Sequence, residues 1–466
     1  MNILALIWQI MAAAAGMLAF LLSIPLLFSF RWPAASMWLL KIVISAFTPM
    51  LALAGAIVAL IGWLTGSLFL MILGIVVLLM DSLHYFLITL SPDSLTGFEQ
   101  AFGKDWKKSL STEQEKRFLS ARSVLHLPTH PGIRFRQDIP FATIPGTDRR
   151  LLCDIWLPPE NVKPSGLAFI YLHGSAFYFL DKDCGTRPFF SHLAAQGHVV
   201  MDIAYRLSPE TDIMGMVHDT KRAIAWMKIH ADEFGVNPDR IIVGGGSAGG
   251  HLALLSSYTS DDENFSPSEL YGKDLGVSAV ISLYGTSDLE TLYYHTNQHL
   301  TTRAVPGKAQ KEVPTRMPAW MKKAFRKDYH RLGFDKDFRK MGALASILGG
   351  HPDECPEHYA QLSPITHVHS QCPPTLLIHG AHDIMAPITS TRRLYWRLVK
   401  EKVPVVLHVL PQTDHAFDLA FPKIAPAAHN AIYDVERFMA FMAMRKLLGK
   451  TKSGLRHKKS VAPESF

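Results

Sequence analysis

The sequence predicts an α/β fold with a mainly parallel sheet flanked by helices, preceded by a helical transmembrane region. Three observations predict it: an apolar, almost uncharged stretch over residues 1–90, a later alternation of short β-branched runs with amphipathic stretches, and a glycine-rich turn joining one such run to one such stretch.

The apolar stretch comes first. Met1 to Phe30 carries no charged side chain, Arg31 and Lys41 interrupt, and Ile42 to Met80 is again uncharged before Asp81. A bilayer core takes about 20 apolar residues per helix, so three spans are expected, near 3–29, 42–63 and 66–89. Successive long apolar segments fit a cleaved signal peptide poorly, because such a leader has a basic start and one short apolar core. Lysine and arginine in short flanking loops stay on the cytoplasmic side. Met1-Asn2 and the turn Gly62 to Gly66 have none, whereas Arg31 and Lys41, and then Lys104, Lys107 and Lys108, fall on a shared side. The expectation is a multi-pass integral membrane protein whose bulk is cytoplasmic. Asp81 and His84 lie inside the third span and read as a helix end near the interface, in preference to a buried functional pair.

Composition excludes several classes. Cys153, Cys184, Cys355 and Cys372 are scattered without C-x-x-C or ligand spacing, so neither disulfides nor a metal is expected, in keeping with a reducing compartment. A net charge of +7 over 466 residues is modest and is not spread as a nucleic-acid groove requires.

Residues 91–135 read as a polar connector with one short helix, since Ser111 to Glu115 has capping-box spacing before Phe118-Leu119. A domain is expected over 136–445. Its strands are Ile139 to Ile144, Leu151 to Leu157, Leu167 to Leu172, Val199 to Ala204, Ile241 to Val243, Val277 to Leu283, Thr375 to Ile378 and Val405 to Leu410. Met216 to Ala231 and Ser390 to Glu401 read as amphipathic helices. An insertion near 296–350 leaves the alternation. Within it Trp320, Met321, Phe325, Tyr329 and Leu332 recur at helical spacing among Lys322, Lys323, Arg326 and Lys327, a helix packed on its own domain or, alternatively, a lid resting on the bilayer. Residues 446–466 form a basic tail, read as solvated, with anionic lipid as the alternative contact.

The turn carries the chemistry. Gly245-Gly246-Ser247-Ala248-Gly249 lies between Ile241-Ile242-Val243 and His251 to Leu255, a strand, a sharp turn and a helix that together push one hydroxyl clear of the backbone. A serine so placed needs a base and a group to orient the base. Asp383 follows the run Thr375 to Ile378, and His415 follows Val405 to Leu410, so both leave strands at the same sheet edge, in the order serine, acid, histidine. Asp414 adjoins His415 too closely to reach its ring, His408 alternates within a strand, His251 lies in the helix, and His379 and His382 shape the acid loop. Oxyanion donors are expected from Ala248 and from the loop His173-Gly174-Ser175-Ala176, with Gly174 and Ser175 as candidates.

Together His173 to Ala176, Ala204-Tyr205-Arg206-Leu207-Ser208-Pro209-Glu210, Gly245 to Gly250, Asp383 and His415 resemble the hormone-sensitive-lipase-like esterases of the α/β-hydrolase superfamily. The resemblance covers about 136–445 and none of the membrane region. It implies cleavage of carboxylic esters through an acyl-enzyme, with no metal or organic cofactor, and a membrane-held hydrolase with a lid would suit acyl lipids or other apolar esters. The second block then serves packing and loop position. Two departures stand out: Ser175 and Ala176 replace glycines of a His-Gly-Gly-Gly loop, where a positive φ would be restricted, and Gly246 replaces a frequent acidic residue before the nucleophile. Phe177-Tyr178-Phe179 is a candidate acyl-pocket lining. An amidase or deacetylase on the same triad, and a non-catalytic ligand-binding receptor on this scaffold, are the alternatives. Retention of all three side chains speaks against the receptor.

Overall fold

The computed structural model describes residues 3–29, 37–90, 93–300 and 342–445. Among these, one sheet runs in the order β1-β2-β4-β3-β5-β6-β7-β8. β1 (Arg134–Thr143) pairs antiparallel with β2 (Arg150–Leu157), and β2 antiparallel with β4 (Val199–Ile203). From β4 onward the neighbours β3 (Ala168–Leu172), β5 (Ile241–Gly246), β6 (Ala279–Leu283), β7 (Thr375–Gly380) and β8 (Val405–Leu410) are all parallel. Both faces are covered, so β3, β4 and β6 are buried along their whole length and read as apolar runs, broken only by Asp202 in β4 and Ser282 in β6. This is the α/β-hydrolase fold.

β1 begins before the expected Ile139 because the alternation is interrupted. Asp138 takes φ 57°, the register shifts between Arg136 and Ile139, and Phe135 packs on Trp156 on the far side of that irregularity.

Helices cover the sheet and make the crossovers. After α1 (Ile3–Ser23), α2 (Met37–Ala46), α3 (Thr48–Thr65) and α4 (Leu68–Thr89) come α5 (Asp93–Phe102) and the single turn α6 (Thr112–Glu115). The capping box does not form in α6: Ser111 makes no side-chain cap, and the Gln114 amide donates to Gln196 O instead. The sheet domain adds α7 (Arg187–Ala194), α8 (Ile213–Ile229), α9 (Ala231–Phe234), α10 (Ala248–Tyr258), α11 (Leu289–Leu300), α12 (Ala343–Leu348), α13 (Pro356–Gln361), α14 (Ile388–Lys400) and α15 (Pro426–Met444). From β3 the chain crosses one way to β4 and then the other way to β5, which opens a crevice at the carboxyl ends of β3 and β5.

Three N-terminal helices are long and apolar enough to cross a membrane, Ala5–Leu27, Thr48–Thr65 and Leu68–Thr89. The second is shorter than the expected 42–63. Pro49, without an N–H and with its ring against the carbonyl four residues back, ends the first helical piece, and α2 becomes a separate apolar helix. Asp81 and His84 also differ from expectation. Both are buried: Asp81 accepts from Ser23 Oγ at 2.7 Å, and His84 bonds Gln412 Oε1 through Nδ1 and Ser45 Oγ through Nε2, each at 2.9 Å. They face the helix cluster and the sheet domain because each finds a polar partner there. The expected stripe at 320–332 and the tail 446–466 lie outside the described residues.

α3 and α4 approach closely through small residues, as apolar helices do when backbone contact replaces hydrophobic driving force. A Cβ at Gly74 would stand 2.3 Å from Ala59 N and 2.5 Å from Gly55 O. Gly74→Val should therefore force the hairpin apart and destabilise it by about 1–3 kcal/mol. Thermal unfolding in detergent micelles checks this, with Leu79→Ala on the exposed face expected to leave the melting temperature nearly unchanged.

Candidate active site

The crevice holds Ser247, whose backbone at φ 54° and ψ −121° lies where a side chain costs about 1–3 kcal/mol. The turn is this tight because α10 starts at the next residue and presses on β3. A Cβ at Gly249 would be 2.0 Å from Leu172 O.

Two loops meet this hydroxyl. His415 Nε2 is 2.9 Å from Ser247 Oγ, and His415 Nδ1 is 2.8 Å from Asp383 Oδ2. The other carboxylate oxygen of Asp383 accepts from the N–H groups of Met385 and Ala386 at 2.9 and 2.8 Å, and His379 Nε2 lies 3.2 Å from Oδ2. Burial alone would raise the Asp383 carboxyl, but His415 and His379 overcome it and hold it well below the ordinary range. For His415 burial would lower the imidazole, and Asp383, then Asp414 and Asp418, raise it above its ordinary value. An ionised acid at Nδ1 keeps the proton there and turns the Nε2 lone pair to the serine.

The loop after β3 faces the same point. A Cβ at Gly174 would be 3.3 Å from Ser247 Cβ. Among the described residues, the N–H groups of Gly174 and Ser175 have no partner within the protein, and Ala248 stands at the first position of α10. Ala176, at one of the replaced glycines, and Phe177, just beyond them, adopt φ 46° and 68°, a left-handed backbone that glycine tolerates without strain. Ser175 offsets that strain: its Oγ accepts from Phe177 N at 2.9 Å and bonds Tyr205 OH at 2.8 Å, while Tyr205 OH donates to His173 O at 2.7 Å. Arg206 beside it grips Asp219 through two 2.8 Å bonds. Of the aromatic run, Phe177 and Tyr178 are buried in the core, and Phe179 alone is exposed.

Known proteins carry the same sequence pattern. Residues 153–330 match the family described as BD-FAE, and residues 334–447 match the prolyl oligopeptidase family. A probable carboxylic ester hydrolase, LipM of Mycobacterium tuberculosis, is 32% identical over 289 residues, which cover 62% of this chain and 57% of that protein. Esterase LipQ of the same organism is 29% identical over 344 residues, covering 72% and 71%. The chain spans about 57% and 61% of the first two of these relatives, LipM and esterase LipC. A solved esterase, Est2 of Thermogutta terrifontis, is 21% identical with a TM-score of 0.45, over 66% of this chain and 90% of that one. Over its sheet domain the chain is similar to these esterases.

Glycine, and not an acid, before Ser247 has a physical reason. A Cβ at Gly246 would be 2.7 Å from the Tyr284 hydroxyl, so any side chain would collide with a ring that stacks edge-on to His415 at 4.7 Å. Tyr284 in turn donates to Asp418, three residues beyond the histidine. Tyr284 and Asp418 went unread in the sequence, although Tyr284 ends β6 at the same sheet edge. Two more residues come from the apolar helix α2: Trp38 stands edge-on to His415 at 6.4 Å, and Lys41 bonds His382 Nδ1 at 2.8 Å. A lone lysine in an apolar run was the available signal, since burial demands a partner.

Ser175→Ala removes the acceptor that holds Phe177 N and should leave two strained residues unsupported. Hydrolytic turnover should fall roughly 10- to 100-fold with the fold retained, checked by steady-state kinetics beside circular dichroism.

Proposed function

We propose that this chain is a membrane-anchored serine hydrolase that cleaves carboxylic esters, lipid or otherwise apolar, through an acyl-enzyme. The observation that carries the reading is the continuous line from Asp383 through His415 to a strained Ser247 opposite free N–H groups. In that reading His415 Nε2 takes the Ser247 proton as Oγ attacks the acyl carbon, and Ala248 N–H with those of Gly174 and Ser175 receives the oxyanion. The imidazolium then protonates the leaving alcohol, water attacks the acyl-enzyme with His415 again as base, and the acid and Ser247 are released. No step calls on a metal or organic cofactor. The match of residues 334–447 to the prolyl oligopeptidase family favours a second reading, amide cleavage on the same triad, which matched ester and amide substrates separate.

Membrane anchoring is supported by the exposed apolar faces of α1, α3 and α4, and such an enzyme suits substrates that partition into the bilayer. A cytoplasmic position for the sheet domain is supported by the basic residues that follow the third span.

A fluorophosphonate probe should label the full chain at Ser247, and labelling that persists in Ser247→Ala would defeat the assignment. The free enzyme needs neutral His415, so kcat/KM should rise with pH through a midpoint above the ordinary histidine value of about 6.5. Asp383→Asn removes the anion that raises it, and should move that midpoint down while lowering kcat by roughly 10³- to 10⁴-fold. For topology, a reporter fused after Phe466 should be active only on the cytoplasmic side; an external signal reverses the orientation.

A further inference from the structure

Lys41 is almost fully buried, and it sits where α2 meets the two loops that carry the acid and the base. Its Nζ donates to Phe28 O at 2.8 Å, bonds His382 Nδ1 at 2.8 Å and lies 4.0 Å from Asp414 Oδ2. His382 precedes Asp383, and Asp414 precedes His415. Asp414 is itself the staple between the loops: its Oδ1 accepts from Ile384 N at 3.0 Å and from His415 N at 2.8 Å. Its Oδ2 has no hydrogen-bond partner among the described residues, so the buried carboxylate relies on the nearby Lys41 charge. Trp38, one turn earlier on α2, meets the edge of the His415 ring.

We propose that Lys41 is a positioning residue for hydrolysis, and that α2 is a working part of the active site that couples seating of the membrane helices to the register of the acid and base loops. The proposal rests on the serine-hydrolase reading above. Its logic is electrostatic. The titratable and charged groups around Asp414 are Lys41 from α2, His84 from α4, which faces Lys41, His382 and Asp383 from the loop after β7, and His415 from its own loop. Burial drives the Asp414 carboxyl upward and Asp383 adds to that, while the two N–H groups and Lys41 oppose it. Without the lysine charge the carboxyl protonates more readily, its grip on the Ile384 and His415 N–H groups weakens, and the imidazole drifts from Ser247.

The test uses the full chain in native membranes or detergent. Lys41→Met should lower the rate of fluorophosphonate labelling and kcat roughly 10- to 100-fold, with KM within about twofold. The loss should deepen as pH falls, because the unbalanced Asp414 loses its charge on the acid side. In Lys41→Met/Asp414→Asn the amide oxygen still accepts both N–H groups and carries no charge, so the added acid dependence should vanish and part of the rate should return. Wild-type kcat and pH profile in Lys41→Met overturn the proposal, as does an acid dependence beyond that of the unmodified chain that survives in the double variant. If the single variant does not fold, the double variant decides: folding with a wild-type-shaped profile supports the proposal, and failure to fold overturns it. Absence of labelling in the unmodified chain would defeat the underlying hydrolase reading instead.

Discussion

A single residue, Ser247, is held with a backbone conformation that no isolated peptide would choose, and the surrounding architecture is arranged to keep it there. β5 delivers the chain to the sheet edge, α10 turns it back over β3, and Gly249 lets the helix come within contact of Leu172. Once the hydroxyl is fixed in space, the strands on either side have fixed carboxyl ends, and the loops leaving β3, β7 and β8 converge on it. The strain at Ala176 and Phe177 is the same constraint seen from the facing loop, offset there by the Ser175 and Tyr205 hydroxyls. Bonds of that kind contribute about 1 kcal/mol each, so two or three of them are of the size needed.

Around this centre charge is balanced across long sequence distances. Asp383 stays ionised in a buried site because two imidazoles and two N–H groups face it, and His415 gains basicity from the same carboxylate and from Asp414 and Asp418. The helical region joins in through polar contacts rather than apolar ones alone. His84 reaches Gln412, Asn430 donates to the carbonyl of Ile88, and Lys41 bonds His382. The contacts of His84 and Lys41 tie the apolar helices to the loops that carry His415 and Asp383, and that of Asn430 ties them to α15.

Much of this was legible from periodicity and punctuation. Eight runs of β-branched residues stand in the sequence where eight strands stand in the sheet, because a strand buried on both faces leaves an apolar run that little else imitates. The boundary of β1 was not legible, since the bulge at Asp138 breaks the alternation that marks a strand. The second apolar helix was misjudged because hydropathy outweighed Pro49, and Asp81 and His84 were placed near the interface because the partners that bury them, Ser23, Ser45 and Gln412, lie far away in the chain. The capping box at Ser111 fails for a tertiary reason, as the Gln114 amide that would complete it donates to the carbonyl of Gln196.

What the sequence determined by itself was the local chemistry: which segments are apolar enough to leave water, which turn can expose a hydroxyl, and which acid and histidine follow successive strands. These depend on neighbours along the chain, where residue type and spacing are sufficient. Only the tertiary structure decided that Tyr284 occupies the space an acid before the serine would need, that Asp418 bonds it, and that Trp38 reaches His415 and Lys41 reaches His382 from a helix more than three hundred residues earlier. Those pairings follow from the crossover order of the sheet and from the seating of α2 on it, and burial then makes each one obligatory, because a charge or hydroxyl removed from water must find its partner wherever the fold has brought one.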